Sequence, residues 1–179
     1  KNLTVEKTFA LAQKNHKKNN FKIAEKLYKE ILETHSNHFQ TLYLLGTLSL
    51  QIKNFEQAKQ LFDKALKINP NHAPTHNNLG LAFKELENPH KAVDCFQKAI
   101  EIQPNYAAAY NNLGLVSKEL GDPQKAITCY QKTIEIDSNY AAAHNNLGIE
   151  FRALGEREKA ISCYRKALDL EPNSIAAQT

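Results

Sequence analysis

The chain has 179 residues, of which 42% are hydrophobic, and its formal net charge is +4. This length suits one globular domain or one short repeat array. No apolar run reaches the roughly 18 residues that a membrane-spanning helix needs, so we predict no membrane partner. The excess positive charge lies within residues 1–38, whereas residues 39–179 carry fifteen basic and fifteen acidic residues. Because nucleic-acid binding requires a clustered basic face, we interpret the terminal lysines as solubilising and predict no nucleic-acid partner.

A 34-residue period runs along the chain: Gly46, Gly80, Gly114 and Gly148 are each 34 residues apart. The same step connects two further sets of identical residues, which are Ala24, Ala58, Ala92, Ala126 and Ala160, and Asn37, Asn71, Asn105, Asn139 and Asn173. A fixed period of this length is typical of stacked small units that bind another protein. We predict a single array over residues 1–179, with five repeats at 5–38, 39–72, 73–106, 107–140 and 141–174. Residues 175–179 then begin a truncated further repeat.

Each repeat contains two helical patterns, which we name helix A and helix B. In the third repeat, helix A carries a histidine, a leucine, a glycine and a phenylalanine at the i, i+3, i+4, i+7 spacing of one buried face. A break follows at 87–89, where Pro89 suits the first position of helix B because no hydrogen bond is lost there. Helix B then buries Ala92, Phe96 and Ala99 and ends near Pro104. The periodic asparagine that follows, Asn105, is expected to turn the chain and to cap the next helix A.

Small residues are predicted where helices A and B cross. In the third repeat these are Gly80 and Ala92, and the aromatic ring of Phe96 fills the space beside them. Because one helix pair cannot bury its apolar face alone, neighbouring pairs must stack.

Cysteine occurs once in each of the last three repeats, at Cys95, Cys129 and Cys163. Equivalent sites on neighbouring packed helices lie about 8–10 Å apart, whereas a disulfide needs Cα atoms within roughly 7 Å. We therefore expect three free thiols, which favour a reducing, cytoplasmic location. Because their spacing is that of a repeat and not of a ligand set, no metal or other cofactor is predicted.

The pattern resembles the tetratricopeptide repeat, whose signature runs from a large residue through Leu-Gly, an aromatic residue, Ala, a second aromatic residue and Ala to Pro. The matching residues of the third and fifth repeats are His76, Leu79, Gly80, Phe83, Ala92, Phe96, Ala99 and Pro104, and His144, Leu147, Gly148, Phe151, Ala160, Tyr164, Ala167 and Pro172. The fourth repeat departs from the signature at Ser117, Thr133 and Ser138, and the first repeat matches it poorly. The resemblance covers residues 5–174. It implies an all-α fold, a right-handed superhelical solenoid of antiparallel helix pairs in which helix A lines the concave face.

Within this family, the segments at 75–80, 109–114 and 143–148 are similar to the array of O-linked N-acetylglucosamine transferases, since each contains Asn-Asn-Leu-Gly. Those proteins hold extended polypeptide through a ladder of concave-face asparagines, and the resemblance implies the same role for Asn78, Asn112 and Asn146. The glycosyltransferase part itself is not in this chain. No nucleophile constellation or phosphate-binding loop is present, so we predict no intrinsic catalysis, although a catalytic domain could lie outside this segment.

The chemistry of asparagine supports such a ladder, because its amide offers one acceptor and two donors that complement a peptide bond. Adjacent A helices should lie about 10 Å apart, and an extended chain advances about 3.3 Å per residue. One asparagine could thus bind about every third ligand residue, while neighbouring side chains on the same face would supply selectivity. The predicted peptide-binding residues are Asn77, Asn78, Asn111, Asn112, Asn145, Asn146, Leu81, Leu115, Ile149, Lys84, Lys118 and Arg152.

Plainer interpretations compete with these assignments. Asn before Leu-Gly is common in ordinary tetratricopeptide repeats, so the asparagines could be no more than groove polarity. The first two repeats lack the pair and carry Tyr43-Leu44 in the second, so any ladder spans three repeats. His72 and His76 have the i, i+4 spacing of metal ligands, but no third ligand is evident, and we interpret them as turn or packing residues.

Taken together, these features predict a protein–protein interaction scaffold that binds an extended peptide or protein segment in its concave groove. One alternative is that the array recruits substrate for, or regulates, a larger enzyme such as a glycosyltransferase. A further alternative is self-association into a homodimer through the array ends, where Ile161, Tyr164 and Leu168 would be left without a polar cap.

Overall fold

The structure, a computed structural model, describes residues 4–172, and these residues form ten α-helices and no strand. The helices are α1 (Val5–Lys17), α2 (Phe21–Thr34), α3 (Phe39–Gln51), α4 (Phe55–Ile68), α5 (Ala73–Glu85), α6 (Pro89–Ile102), α7 (Ala107–Glu119), α8 (Pro123–Ile136), α9 (Ala141–Ala153) and α10 (Arg157–Leu170). The predicted all-α class is therefore confirmed. Asn173 and the predicted start of a further repeat at 175–179 lie outside the described residues.

The chain divides into two compact units, Lys1–Asn88 and Pro89–Thr179. In the first unit, α1 packs on α2 and α3 on α4, while α2 contacts α3 and α4 contacts α5. In the second unit, α7 packs on α8 and α9 on α10, while α6 contacts α7 and α8 contacts α9. Each odd-numbered helix begins where the sequence places the start of a repeat, at Val5, Phe39, Ala73, Ala107 and Ala141.

Glycine allows close packing of the two helices within a pair. A Cβ atom added to Gly114 on α7 would lie 2.5 Å from Cε1 of Tyr130, whose ring on α8 is fully buried. The same contact recurs at 2.6 Å between Gly148 and Tyr164 and between Gly46 and Phe62. Since real Cβ atoms do not approach carbon this closely, only glycine fits, and the aromatic rings fill the crossings as the sequence predicted.

The turn that connects the two helices of each pair has the same backbone feature in all five repeats. The residue at the same place in every repeat has a positive φ: 59° at Asn19, 60° at Lys53, 57° at Glu87, 80° at Gly121 and 78° at Gly155. Glycine adopts this conformation without steric cost, whereas other residues pay for it. The last two repeats therefore have the least strained turns.

Helix starts differ in part from the sequence-based expectation. The carboxylate of Asp122 accepts the backbone N–H of Lys125 at 2.9 Å and caps α8 directly ahead of its first residue, a proline. The expectation that the periodic asparagine caps helix A is wrong. Asn105 lies in the preceding turn and Tyr106 is the cap residue of α7, without a side-chain capping bond.

Histidine caps two helices of the first unit instead. The Nδ1 atom of His72 accepts the backbone N–H of Thr75 at 3.3 Å and lies 2.8 Å from the Thr75 hydroxyl. The ring also meets Phe39 and Tyr43 edge-on, at 5.0 and 5.1 Å. His38 repeats this arrangement with Thr41. An accepting Nδ1 requires the neutral ring, so the cap depends on the protonation state of the histidine.

We therefore expect acid to destabilise the first unit through His72. Burial, aided by the nearby His76, lowers the pKa of His72 below the ordinary 6.5. The unfolded chain then takes up the proton first, so the stabilisation is complete above pH 6.5 and is lost as the pH falls below it. His72→Asn, which keeps a preferred cap residue, should flatten the change in thermal midpoint between pH 7.5 and pH 5.5. His90→Gln, at an exposed site, should not; equal pH profiles of the His72 variant and the parent would contradict the assignment.

Candidate peptide-binding site

The asparagine pairs of the second unit lie on α7 and α9. Asn146 donates its Nδ2 hydrogen to Oδ1 of Asn111 at 3.1 Å, a bond from one A helix to the next. Asn111 is only 5% exposed, whereas Asn112 and Asn146 are half-buried. The bond leaves the amide oxygen and the second N–H of Asn146 for other partners. The buried asparagine thus orients the more exposed one.

Asn145 occupies the register of Asn111 on the next A helix but has a different environment. Its Oδ1 atom is buried and meets no hydrogen-bond donor within the described part of the chain. An amide oxygen buried without a donor costs about 1–3 kcal/mol. This amide oxygen is therefore a local cost within the fold, and its burial keeps it out of reach of a ligand.

The first unit holds one asparagine pair, on α5. Asn78 donates to the hydroxyl of Thr47 on α3 at 3.4 Å, and Asn77 donates to Oδ1 of Asn78 at 3.3 Å. Asn77 is 5% exposed, like Asn111. Asn78 and Asn146 are thus each hydrogen-bonded to a polar residue of the preceding A helix. Sequence analysis did not identify Thr47, because threonine is not repeated at its place on the other A helices.

The predicted apolar neighbours are all half-buried: Leu81 in the first unit, and Leu115 and Ile149 in the second. Leu115 packs against a core cluster around Tyr130 and Leu147. A ligand could therefore contact only part of each side chain. These residues offer apolar surface beside the asparagine of the same helix.

The predicted basic residues differ in how far their charge is compensated. Nζ of Lys118 lies 3.0 Å from Oε1 of Glu150 on α9, and that carboxylate side chain is only 5% exposed. Nζ of Lys84 is 4.0 Å from the carboxylate of Glu85. Among the described residues, no ion pair involves the exposed Arg152. Of the two predicted basic residues of the second unit, Arg152 therefore keeps the less compensated positive charge.

Glu150 was missed in the sequence, although a signal was present. At the same place on the other A helices the chain has Lys14, Leu48, Ala82 and Val116, and the last three are buried and apolar. A carboxylate among apolar equivalents indicates either exposure or a specific partner. Its oxygen Oε1 makes the ion pair with Lys118 but no aligned hydrogen bond, and the Tyr130 hydroxyl nearby is also without one among the described residues. Burial, and then the charge of Glu150, raise the pKa of Tyr130 well above its ordinary value.

The cysteines and His76 have ordinary structural environments in the part of the chain that the structure describes. The three cysteines are free, as predicted, and burial raises the pKa of Cys129 to about 11, so its thiol stays protonated at neutral pH. His76 bonds through Nε2 to the carbonyl of Pro70 at 2.9 Å. Within residues 4–172, no three His, Cys, Asp or Glu residues are grouped to hold a metal, and no helix is long and apolar enough to cross a bilayer.

Comparisons with known proteins agree with this repeat architecture. A family model described as tetratricopeptide repeat matches residues 38–105, 73–139 and 105–171, and no curated protein matched the chain. A crystal structure of MamA protein is 30% identical, with a TM-score of 0.80 over 94% of this chain and 92% of that one. YrrB, described as a TPR protein with an unusual peptide-binding site, is 26% identical, with a TM-score of 0.73 over 96% and 88%. A MamA structure from Desulfovibrio magneticus RS-1, 22% identical with a TM-score of 0.82 over 96% and 97%, shows the fold alone.

Proposed function

Because the chain belongs to the tetratricopeptide repeat family, we propose that it is a protein-interaction scaffold whose A helices hold an extended peptide through half-buried asparagines. The observation that carries the proposal is the bond from Asn146 to Asn111. It fixes the orientation of one amide before a ligand arrives, and a group ordered in advance loses less entropy on binding. The bond from Asn78 to Thr47 does the same in the first unit.

The selectivity of this scaffold would come from side chains beside the asparagines. In the second unit, Leu115 and Ile149 provide half-buried apolar surface, and Arg152 provides a cation. The fold similarity to YrrB, described as having a peptide-binding site, supports a peptide as the ligand. A segment that alternates apolar and acidic side chains would complement these residues.

We expect Asn112→Ala with Asn146→Ala to weaken binding of extended peptides about tenfold while the helix content is unchanged. Two hydrogen bonds to a ligand backbone at about 0.5–1.5 kcal/mol each account for that loss. The measurement is screening of the parent against an unbiased library of short peptides, followed by titration of the selected peptides. Adding Asn78→Ala extends the same test to the first unit.

The matched control is Asn105→Ala with Asn139→Ala. These exposed turn asparagines change the same chemistry away from the A-helix faces. The control should bind like the parent. If the control and the ladder variants bind with equal affinity, the A-helix asparagines only make the surface polar and do not bind the peptide. That result would contradict the proposal.

Two finer alternatives each have a specific observation in their favour. The Asn-Asn-Leu-Gly segments resemble those of O-linked N-acetylglucosamine transferases, which favours a substrate-recruiting array of a larger enzyme. The sequence of the full gene tests this alternative, because it shows whether the gene encodes a catalytic domain. Self-association is favoured by Ile161 and Leu154, which are 40% and 53% exposed on α10 and just before it. Light scattering over a dilution series distinguishes a homodimer from a monomer that binds peptide.

A further inference from the structure

A cavity of about 370 Å³ lies in the first unit, outside the predicted binding residues. Its walls come from α1, α2 and α3 and include Gln13, His16, Lys17, Tyr28, Leu44 and Gln51. The volume lies within the range of about 300–1,000 Å³ that is typical of ligand pockets. The cavity is thus large enough to receive one ligand side chain.

Three polar side chains of the cavity, His16, Tyr28 and Gln51, are hydrogen-bonded to one another. Nε2 of His16 lies 2.8 Å from Oε1 of Gln51, and Nδ1 lies 3.4 Å from the hydroxyl of Tyr28. An amide oxygen can only accept, so Nε2 carries the proton and Nδ1 accepts from the Tyr28 hydroxyl. Both ring nitrogens of His16 are already hydrogen-bonded within the protein. The ring therefore does not need a polar ligand atom as a hydrogen-bond partner.

Leu44 supplies apolar surface where the ladder would place an asparagine. It is the residue of α3 that corresponds to Asn78 on α5, 34 positions later. Leu44 is half-buried and packs on the core cluster that contains Tyr28 and Leu45. In the second repeat, the residue that replaces the ladder asparagine therefore lines a cavity.

The cavity and the asparagine of the first unit share one face of α3. Leu44 lines the cavity, and Thr47, three residues later on the same helical face, accepts the hydrogen bond from Asn78. Adjacent A helices lie about 10 Å apart, which an extended chain covers in about three residues. A peptide bound at Asn78 can therefore reach the cavity within a few residues.

We propose that this cavity binds one uncharged apolar side chain, aliphatic or aromatic, of the extended peptide whose backbone Asn78 holds. The inference rests on the proposed function and adds to it a side-chain preference at one ligand position. Leu44 and the bonded polar groups favour an apolar occupant, and the cationic Lys17 at the wall disfavours lysine and arginine. The preferred side chain lies about three ligand residues from the one whose backbone contacts Asn78.

The test uses the full chain and a library of random dodecapeptides, followed by a positional scan of a selected peptide. We expect one position at which replacing leucine or phenylalanine by asparagine weakens binding at least tenfold. Leu44→Asn, which installs the ladder residue in α3, should abolish that preference. Gln13→Phe should do the same by filling the cavity from α1, and it serves as a second variant should Leu44→Asn fail to fold. Gln40→Phe adds the same ring at an exposed site of α3 and should leave the preference intact.

The outcomes separate this inference from the proposed function. A position-specific apolar preference that both cavity variants lose and the control keeps supports the cavity. Peptide binding without such a preference, or a preference that survives Gln13→Phe, overturns the cavity while the asparagine proposal stands. Binding of no peptide by the parent overturns both.

Discussion

Replacing Lys118 by methionine is expected to destabilise the second unit by about 1–3 kcal/mol at neutral pH. The substitution removes the cation 3.0 Å from the nearly buried carboxylate of Glu150 and leaves that charge without its partner. Breaking a fully buried pair costs about 3–5 kcal/mol. The cost should be smaller here because the Lys118 side chain is 42% exposed, so water still reaches one side of the pair. Urea unfolding followed by far-UV circular dichroism measures the loss.

Two further variants identify the cause of that loss. Lys132→Met removes the cation of an exposed ion pair with Glu135 at 2.8 Å, and such pairs contribute only about 0–1 kcal/mol. Lys118→Met combined with Glu150→Val should recover the parent stability or exceed it, since Val116 occupies the same place on α7 and is fully buried. If the double variant is as unstable as the single one, an unpaired carboxylate is not the reason.

Gly114→Leu is expected to destabilise the same unit by about 1–3 kcal/mol through overpacking. The first added carbon would lie 2.5 Å from the fully buried ring of Tyr130, which would have to move into a filled core. Helix propensity acts in the opposite direction, because leucine is better than glycine in a helix by up to about 1 kcal/mol. The sign of the change therefore decides between packing and propensity.

Thermal unfolding of Gly114→Leu measures this balance, with Ala142→Leu as its control. Ala142 is exposed near the start of α9, so leucine there enlarges a side chain without a facing ring. The control should unfold close to the parent temperature. A Gly114 variant with an unchanged or raised midpoint would refute the crossing of α7 and α8 at this glycine.

The charge arrangement of the second unit bears on ligand choice. Glu150 engages Lys118, so the lysine that the sequence presents as a ligand contact is largely neutralised within the fold. Arg152, one turn further along α9 than Gly148, keeps its exposed guanidinium. Under the proposed function, a ligand carboxylate would therefore pair with Arg152 rather than with Lys118.

The positions of the helices and their order along the chain follow from the amino-acid sequence alone. The start of α7 at Ala107 and the proline that begins α6 both follow from patterns within a few residues. Such patterns are local, because helix periodicity and turn chemistry depend on near neighbours in the chain. The pairing of Gly114 with Tyr130 also followed, since the repeat places a small residue opposite an aromatic one five times.

The contacts between polar side chains, in contrast, become visible only when the helices are packed together. Asn146 bonds to Asn111, 35 residues away, and His16 bonds to Gln51, also 35 residues away. Both bonds depend on how one A helix lies against the next, and no local pattern encodes the direction of a side-chain amide. The buried carboxylate of Glu150 belongs to the same class, because its environment comes from α7 and α8 as well as from its own helix. The repeats thus specify a common backbone, whereas the contacts of this array depend on how side chains of neighbouring helices meet, as Asn146 and Asn111 do, and on departures from the period such as Glu150.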